Sequence, residues 1–374
     1  MKICKLSEIA KFKTGKLNSN AAEMNGRYPF FTCAPEPLKI DTYAFDTKAI
    51  ILAGNNAEGN FHIQYFEGKF NAYQRTYIIE TIDNSIVDIR YLYYALKMCL
   101  QHFKLISQGT ATKFLTAKIL SAFELPIPTI EEQQKIAFLL SGLDEKVKTN
   151  ERINNNLLEQ VLAIYRHYFV DTTNELRQTC RADEYFDISI GKTPPRKEPQ
   201  WFSTNPKDVT WVSISDMGTC GLYISESSEQ LTKEAVDRHN VKIVPDNTVL
   251  LSFKLTVGRI AITDGEMTTN EAIAHFKTNK KEIIEYLYCY LKCFNYQTMG
   301  STSSIATAVN SKIIKGMPFV VPTDEEITEF HSLAAPMFAK IKANQAEIRN
   351  LTSLRDTLLP KLMSGELDVS DIDL

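Results

Sequence analysis

Two long stretches of the chain carry apolar side chains at alternating steps of four and three residues. The first seam runs from Ile136 to Tyr168 and the second from Ile327 to Leu358. Such spacing marks a long helix that buries one narrow face against a partner helix. Each stretch has about 35 to 40 residues, so each helix would span roughly 50 to 60 Å at 1.5 Å per residue. We therefore expect two spacer helices that pair with each other, antiparallel, within the chain.

Polar residues stand near the centre of both seams, at Asn150 and Asn154 in the first and at Asn344 in the second. A buried Asn at such a position costs stability but fixes the register of the pair; alternatively, these side chains face solvent or a third protein. Gly142 and Pro336 stand at equivalent places, 194 residues apart. Gly142 weakens the first helix, and the ring of Pro336 clashes with the carbonyl four residues back in the second. We therefore expect each helix to break or bend there.

An internal repeat sets the domain organisation. Tyr91-Leu-Tyr-Tyr-Ala-Leu96 returns as Tyr286-Leu-Tyr-Cys-Tyr-Leu291, and Pro128-Thr129 returns as Pro322-Thr323, at an offset of 194 or 195. The predicted fold class is α+β, with two tandem mixed α/β domains, two long antiparallel coiled-coil helices and an approximate two-fold repeat. The predicted segments are a domain at 1–128, a helix at 129–170, a domain at 171–322, a helix at 323–360 and an acidic, extended tail at 361–374.

Local patterns place elements inside the two domains. Runs of β-branched and aromatic residues predict strands at 49–53 and 74–80 in the first domain and at 210–215, 248–253 and 258–263 in the second. Amphipathic patterns predict helices at 88–102 and 282–294. Thr129 and Glu132 have the spacing of a capping box, which predicts that the first spacer helix begins there.

Composition excludes some classes of protein. The N-terminal stretch is too often charged for a signal peptide, no apolar run is long enough to cross a bilayer, and seven cysteines form no CxxC pair. We expect a cytoplasmic protein without a membrane partner. The net charge of −3 gives little sign of nucleic-acid binding. However, residues 1–125 hold 15 basic and 11 acidic residues, which is compatible with contact to phosphates.

A search for catalytic motifs is negative. No GxG dinucleotide fingerprint and no GxSxG occur, and the six histidines lack ligand spacing. Gly191-Lys192-Thr193 resembles the end of a P-loop, but Phe186 stands where the upstream glycine is required. We expect no catalytic residue, no metal and no cofactor in this chain.

Several segments together resemble one family. Leu125-Pro-Ile-Pro-Thr-Ile-Glu-Glu-Gln-Gln-Lys-Ile-Ala-Phe-Leu-Leu-Ser-Gly-Leu-Asp144 is similar to the spacer-helix entry of specificity subunits of type I restriction-modification systems. Similar family motifs occur at Gly68–Arg75, Gly191–Pro194, Trp211–Asp216, Leu250–Arg259 and Leu354–Gly365. The second helix entry, Glu325–Phe330, lacks the Gln-x-Lys-Ile-Ala run.

The resemblance implies a non-catalytic subunit. Each domain would read one half of a split, asymmetric target in double-stranded DNA, while the helices set the gap and dock two methyltransferase (modification) subunits. S-adenosylmethionine would bind those partners, and motor-nuclease (restriction) subunits would join for cleavage. A pseudo-dimer spaced by such helices could place its domains on half-sites about one helical turn apart, roughly 34 Å.

Long polar side chains on loops flanked by glycine or proline are the candidate DNA contacts, because Arg and Lys suit guanine whereas Asn and Gln suit adenine. In the first domain they are Lys16, Asn18, Tyr73, Gln74, Arg75, Gln108, Thr110, Thr112 and Lys113. In the second they are Lys192, Thr193, Arg196, Ser213, Ser215, Lys254, Thr256, Arg259, Asn270, Thr302, Ser303 and Ser304. For each, surface exposure or strand capping is the alternative, and Arg75 and Arg259 could instead pair with a core carboxylate.

Two other functions fit parts of the sequence. A coiled-coil scaffold with protein-binding domains and no DNA role explains the helices and the near-neutral charge. It does not explain two similar yet diverged domains, which two readers of different DNA sequences explain naturally. An enzyme is the third possibility, and the motif search argues against it.

Overall fold

The computed structural model describes residues 2–172, 177–299, 309–370 and 372. The chain forms two compact units, Met1–Val147 with Asn350–Leu374, and Lys148–Arg349. We call these unit 1 and unit 2. Each unit consists of one mixed α/β domain and segments of both long helices.

The domain of unit 1 is built on a six-stranded sheet. Its elements are β1 (Lys2–Lys5), α1 (Leu6–Ile9), β2 (Ala10–Thr14), β3 (Tyr28–Phe31), β4 (Leu38–Ile40), β5 (Phe45–Ala53), β6 (Asn55–Asn56), β7 (Ile63–Ala72), β8 (Thr76–Thr81), α2 (Ile89–Met98), α3 (Leu100–Ile106), β9 (Lys113–Phe114), α4 (Ala117–Ala122) and β10 (Glu124–Ile127), followed by the long helix α5 (Ile130–Phe169). The six-stranded sheet has the order β2-β8-β5-β7-β3-β4. Strand β5 is central, and its apolar run Ala49–Ala53 is buried. Helix α2 packs on this sheet through Tyr91, Leu92 and Leu96.

The domain of unit 2 has more, shorter strands. Its elements are β11 (Gln178–Arg181), α6 (Ala182–Tyr185), β12 (Asp187–Ile190), β13 (Phe202–Ser203), β14 (Val209–Val212), α7 (Asp216–Thr219), β15 (Tyr223–Ile224), β16 (Glu229–Leu231), α8 (Lys233–Arg238), β17 (Val249–Ser252), β18 (Ile260–Thr263), β19 (Thr268–Thr269), β20 (Ile273–Lys277), α9 (Ile284–Cys293), α10 (Ser311–Lys315) and β21 (Pro318–Val321), followed by the long helix α11 (Asp324–Ser364). One sheet has the order β12-β20-β17-β18-β15, and a second has the order β13-β16-β14-β19.

The repeat seen in the sequence is also a repeat of topology. The order β2-β8-β5-β7 in unit 1 corresponds to β12-β20-β17-β18 in unit 2, and each of these neighbouring pairs is antiparallel. In both units a two-stranded ribbon, β1·β10 or β11·β21, joins the start of the domain to the strand before the long helix. The predicted fold class, with two related α/β domains and two long helices, is therefore confirmed.

The two long helices have the predicted length, 40 residues in α5 and 41 in α11. Both are continuous through Gly142 and Pro336, so a break at these residues is wrong, and the bend stays a prediction. Pro336 is exposed, whereas Ala334 and Phe338 on either side of it are buried in the unit 2 core. Packing of these neighbours therefore outweighs the backbone hydrogen bond that the proline removes.

Polar contacts fix the antiparallel register of the helix segments in unit 2. Asn344 Nδ2 donates to Asn154 Oδ1 at 2.8 Å, and Asn150 Nδ2 donates to Glu347 Oε2 at 2.9 Å. Asn150 and Asn344 are only 2% and 1% exposed. Burial in the seam is therefore correct for Asn150 and Asn344, whereas Asn154 is half-buried, and the amides specify which residues face each other.

A partly buried ionic cluster pairs the helix segments in unit 1. Asp144 Oδ1 accepts from Arg355 Nη1 at 2.6 Å, and Asp144 Oδ2 accepts from the Tyr94 hydroxyl at 2.7 Å. At the repeat-related positions of unit 2, apolar side chains replace the two ionic partners: Val161 and Phe338 are buried, and the Phe338 ring packs on Tyr288 at 5.6 Å. The two units thus use different chemistry at one structural position.

The entries to the two long helices share a cap and differ in one buried residue. Thr129 and Glu132 form the predicted capping box, and Thr323 with Glu326 forms another before α11. The next residue in α5, Gln133, is fully buried; its amide donates to two backbone carbonyls and accepts from the Asp88 N–H at 2.9 Å. In α11 that position is the buried Ile327, which accounts for the missing family motif there.

The C-terminal segment differs from the extended tail expected at 361–374. Helix α11 continues to Ser364, and Leu362, Met363 and Val369 are buried in the core of unit 1. The carbonyl of Ser370 accepts a hydrogen bond from Lys135 Nζ at 2.6 Å. Apolar side chains between the acidic residues thus hold this segment on the unit. Among the described residues, no helix combines the length and apolar character needed to cross a membrane.

Candidate nucleic-acid interface

In unit 1, the loop after β2 meets the turn that precedes β8. Lys16, Asn18, Gln74 and Arg75 are exposed here, and Tyr73 is half-buried. An isolated bridge pairs Leu17 with Tyr73, the Gln74 N–H donates to the Leu17 carbonyl at 2.9 Å, and Gln74 Nε2 donates to Asn18 Oδ1 at 2.8 Å. The structure therefore brings these five predicted residues together.

A second loop, Gln108–Phe114, lies beside that turn. Gln108 and Phe114 exchange backbone hydrogen bonds of 3.0 and 2.7 Å, and Gly109 has φ +103°, which favours glycine. The Arg75 guanidinium lies over the Phe114 ring at 5.3 Å and joins this loop to the β8 turn. The other predicted residues of unit 1, Gln108, Thr110, Thr112 and Lys113, thus lie on the same surface as the first five.

The environment of Arg75 argues against the interpretation that it pairs with a core carboxylate. Among the described residues its guanidinium contacts an aromatic ring and no carboxylate. A ring beneath a guanidinium orients it while leaving its N–H donors at the edge available. The N–H groups of the Arg75 guanidinium are therefore available as hydrogen-bond donors, because no core acid among the described residues pairs with them.

Sequence reasoning missed residues of the loop after β5, which borders the same surface. Asn55 Oδ1 accepts from Cys33 Sγ at 2.8 Å, and Asn60 Oδ1 accepts from Lys104 Nζ at 2.8 Å. Strand β6 in this loop pairs with β9, so that Asn56 faces Lys113. The available signal was Gly54-Asn-Asn-Ala-Glu-Gly59, a polar loop between glycines directly after a buried strand.

In unit 2, three loops converge at one end of the strands of the five-stranded sheet. Strands β12 and β17 end where β20 begins, since Ile190 faces Ala274 and Ser252 faces Ile273. The loops at these strand ends carry the exposed residues Lys192, Lys254 and Thr256, and the half-buried residue Asn270. Gly191 is required where the loop after β12 passes Thr269 of β19, because a Cβ on residue 191 would come within 2.1 Å of Thr269 Oγ1.

Other predicted residues of unit 2 hold the loops in place. Arg196 forms two 2.9 Å hydrogen bonds with Glu229 and stacks on Phe202 and Trp211 at 4.2 and 4.7 Å. Ser213 Oγ donates to Asp216 Oδ2 at 2.6 Å, and Arg259 Nη1 donates to the Ile214 carbonyl at 2.6 Å. Ser215 is exposed at the start of α7.

Arg259 donates to a backbone carbonyl and, among the described residues, does not pair with a core carboxylate. Arg259 also lines a cleft of about 950 Å³ within unit 2, beside Arg349 of α11 and Glu151 of α5. The roles of all these residues in DNA contact stay predictions. Thr302, Ser303 and Ser304 lie outside the described residues.

Sequence reasoning also missed Glu271, an exposed acid at the turn before β20. The Thr193 hydroxyl donates to Glu271 Oε2. Burial alone would raise the pKa of Glu271, but the hydrogen bond from Thr193 and the positive charges of Lys254 and Arg196 hold it below its ordinary value. Glu271 is thus a carboxylate at neutral pH. Among the described residues, no group of three or more His, Cys, Asp or Glu side chains is placed to hold a metal ion.

Comparison with known proteins gives the family of the chain. The family described as "Type I restriction modification DNA specificity domain" matches residues 1–159 and 175–348. The chain belongs to this family. It is 36% identical over 412 residues to the type I restriction enzyme EcoDI specificity subunit of Escherichia coli, covering 98% of this chain and 88% of the relative. It is 27% identical over 310 residues to the MjaIX specificity subunit of Methanocaldococcus jannaschii, covering 75% of this chain and 70% of the relative.

A solved structure supports the fold. The crystal structure of the S subunit of a type I restriction-modification system from M. genitalium matches with a TM-score of 0.60 at 17% identity, covering 96% of this chain and 95% of that one. Family membership confirms the predicted resemblance. It likewise confirms the prediction of a type I specificity subunit, a recognition component and not an enzyme.

Proposed function

We propose that the two units of this specificity subunit read the two halves of one split DNA target. The observation that carries the proposal is the equivalence of the candidate surfaces. In each unit, the loops after the strands β2 and β5, or β12 and β17, meet the turn before β8, or β20. One scaffold therefore presents polar loops twice, and the side chains on those loops differ between the units.

The side chains on these loops suit the major groove of DNA. Arg75 and Lys113 in unit 1, and Lys192 and Lys254 in unit 2, can donate to guanine or to phosphates, and Gln74 can pair with adenine. Basic residues outnumber acidic residues over 1–125, which favours association with a polyanion. The ordered loops also lower the entropic cost of fixing these groups on binding.

We further propose that the long helices dock two methyltransferase subunits, which bring S-adenosylmethionine, and that motor-nuclease subunits join this complex. Phe138 of α5 and Leu354 of α11 are 57% and 47% exposed in unit 1, and such a partner would cover these apolar side chains. The site of action would be the cytoplasm, where chromosomal DNA is accessible in a bacterial or archaeal cell.

The direct test is a gel-shift assay of the chain with and without the methyltransferase subunits of its own system. We expect the assembled complex to bind a labelled duplex that carries its target. Excess unlabelled target should displace that duplex, whereas a competitor with one half-site scrambled should not. Scrambling either half should weaken binding by itself. Binding that ignores both halves would contradict the proposal and would favour a protein-binding scaffold.

A further inference from the structure

The turn before β8 in unit 1 and the turn before β20 in unit 2 have the same pattern of backbone hydrogen bonds. In unit 1 the Thr76 N–H donates to the Tyr73 carbonyl at 2.9 Å, and the Gly15 N–H donates to the Thr76 carbonyl at 3.3 Å. In unit 2 the Ile273 N–H donates to the Asn270 carbonyl at 3.3 Å, and the Gly191 N–H donates to the Ile273 carbonyl at 3.1 Å. These bonds align Tyr73 with Asn270, and therefore align Gln74 with Glu271.

Both aligned side chains are exposed and both are held from the same neighbouring loop. Asn18, three residues after Gly15, accepts a hydrogen bond from Gln74 Nε2 at 2.8 Å. Thr193, two residues after Gly191, donates one to Glu271. A side chain fixed by one such bond loses less rotamer freedom when it then meets a ligand. At this position each unit thus has an exposed polar side chain that one hydrogen bond holds in place, Gln74 in unit 1 and Glu271 in unit 2.

The difference between the two residues is one of hydrogen-bond polarity. The Gln74 amide offers both an acceptor and a donor, whereas an ionised Glu271 carboxylate only accepts. One bond from Thr193 leaves most of the lone pairs of the carboxylate unused. Phosphates repel a carboxylate, so at a DNA surface these lone pairs need an N–H donor on a base edge. In the major groove such donors are the exocyclic amino groups of cytosine and adenine.

We propose that Gln74 and Glu271 are equivalent base-reading residues of the two units. Glu271 accepts a hydrogen bond from an exocyclic amino group, cytosine N4 or adenine N6, in the half-site of unit 2. Gln74 pairs with an adenine in the half-site of unit 1. Lys254 and Arg196 beside Glu271 offset its repulsion from the DNA backbone. This proposal rests on the proposed function, since it assumes that both turns face a duplex.

The experiment uses the assembled complex and duplexes of its own target, in which single bases lack their amino group. Each cytosine is replaced in turn by the analogue without N4, and each adenine by the analogue without N6. We expect the wild-type complex to lose about tenfold in affinity at one position of the unit 2 half-site. That position distinguishes cytosine from adenine. The Glu271→Ala complex should bind the normal duplex more weakly and no longer distinguish it from that analogue.

Two further variants keep the test decisive. Glu266→Ala removes another exposed carboxylate of unit 2, from the loop after β18, and should leave discrimination unchanged. Gln74→Ala should abolish discrimination at one adenine in the other half-site, independently of how the Glu271 variant folds. A specific wild-type complex whose variants at 74 and 271 keep every discrimination would overturn this inference alone. A wild-type complex without any sequence preference would instead overturn the proposed function.

Discussion

The ionic cluster in unit 1 makes a quantitative prediction for Arg355→Met. The Arg355 and Asp144 side chains are 15% and 16% exposed, so their pair is largely removed from water. Replacing the guanidinium by a thioether removes the charged partner of the Asp144 carboxylate, while the Tyr94 hydroxyl still donates to that carboxylate. Removing one partner of a buried ion pair costs about 3 to 5 kcal/mol. Because both groups keep some exposure, we expect about 3 kcal/mol.

Unit 2 supplies the matched control for this variant. The double variant Asp144→Phe/Arg355→Val installs the residues that stand at the repeat-related positions, Phe338 and Val161. Apolar replacement of a whole buried pair is often neutral or stabilising. We therefore expect the double variant to unfold within about 1 kcal/mol of the wild type, despite carrying two changes.

Urea unfolding followed by circular dichroism measures both variants, with the midpoint and slope of the transition fitted separately. The account requires Arg355→Met to be much less stable than the double variant. If the single variant loses less than about 1 kcal/mol, the Asp144–Arg355 pair contributes no more than a solvent-exposed pair does, and the prediction fails.

The same cluster has a pH signature. Burial alone would raise the pKa of Asp144, but the hydrogen bonds from Arg355 and Tyr94 hold it below its ordinary value of 3.8. A carboxyl with a depressed pKa in the folded state stabilises the protein above its unfolded pKa and stops doing so as pH falls through the folded pKa. The stability difference between wild type and Arg355→Met should therefore be full at neutral pH and shrink below about pH 4.

Three further substitutions test other contacts, each by a direct measurement. Gln133→Ile leaves the Asp88 N–H without its acceptor and should cost about 2 kcal/mol in urea unfolding; an unchanged midpoint would show that the amide contributes nothing. Asn154→Leu removes the partner of Asn344 and should cost about 1 to 2 kcal/mol, whereas the double change to leucine should restore stability; equal losses would contradict a specific amide pair. Arg75→Ala should leave unfolding within about 1 kcal/mol of wild type but weaken gel-shift binding by the assembled complex about tenfold, and undiminished affinity would remove this residue from the interface.

Features that depend on periodicity were predictable from the sequence. The seams and the repeat offset gave the length and pairing of α5 and α11, because burial of a narrow face imposes its own spacing. The break expected at Pro336 was wrong because a local rule gave way to packing of the buried residues around it. Local rules also did not predict that Gln133 is buried at one helix entry and Ile327 at the equivalent place of the other.

Features that depend on contacts across the sequence were not predictable in this way. Arg196 looked like a free cation, but its partner Glu229 is 33 residues away, at the start of β16. Gln74 and Asn18 were both selected from loop composition, yet their contact joins loops 56 residues apart. Glu271 was not selected, because the candidates were chosen as long side chains that suit guanine or adenine. Only the structure shows that it aligns with Gln74.

The central claim is that two diverged units read two different half-sites held at a fixed spacing. Base-resolved mapping of methylated adenines tests it most directly, in cells that produce this chain with its methyltransferase subunits and in cells that lack it. We predict one asymmetric motif with two specified halves and a gap of constant length, present only with this chain. Methylation without a split motif, or the same motif in both cell lines, would contradict the account.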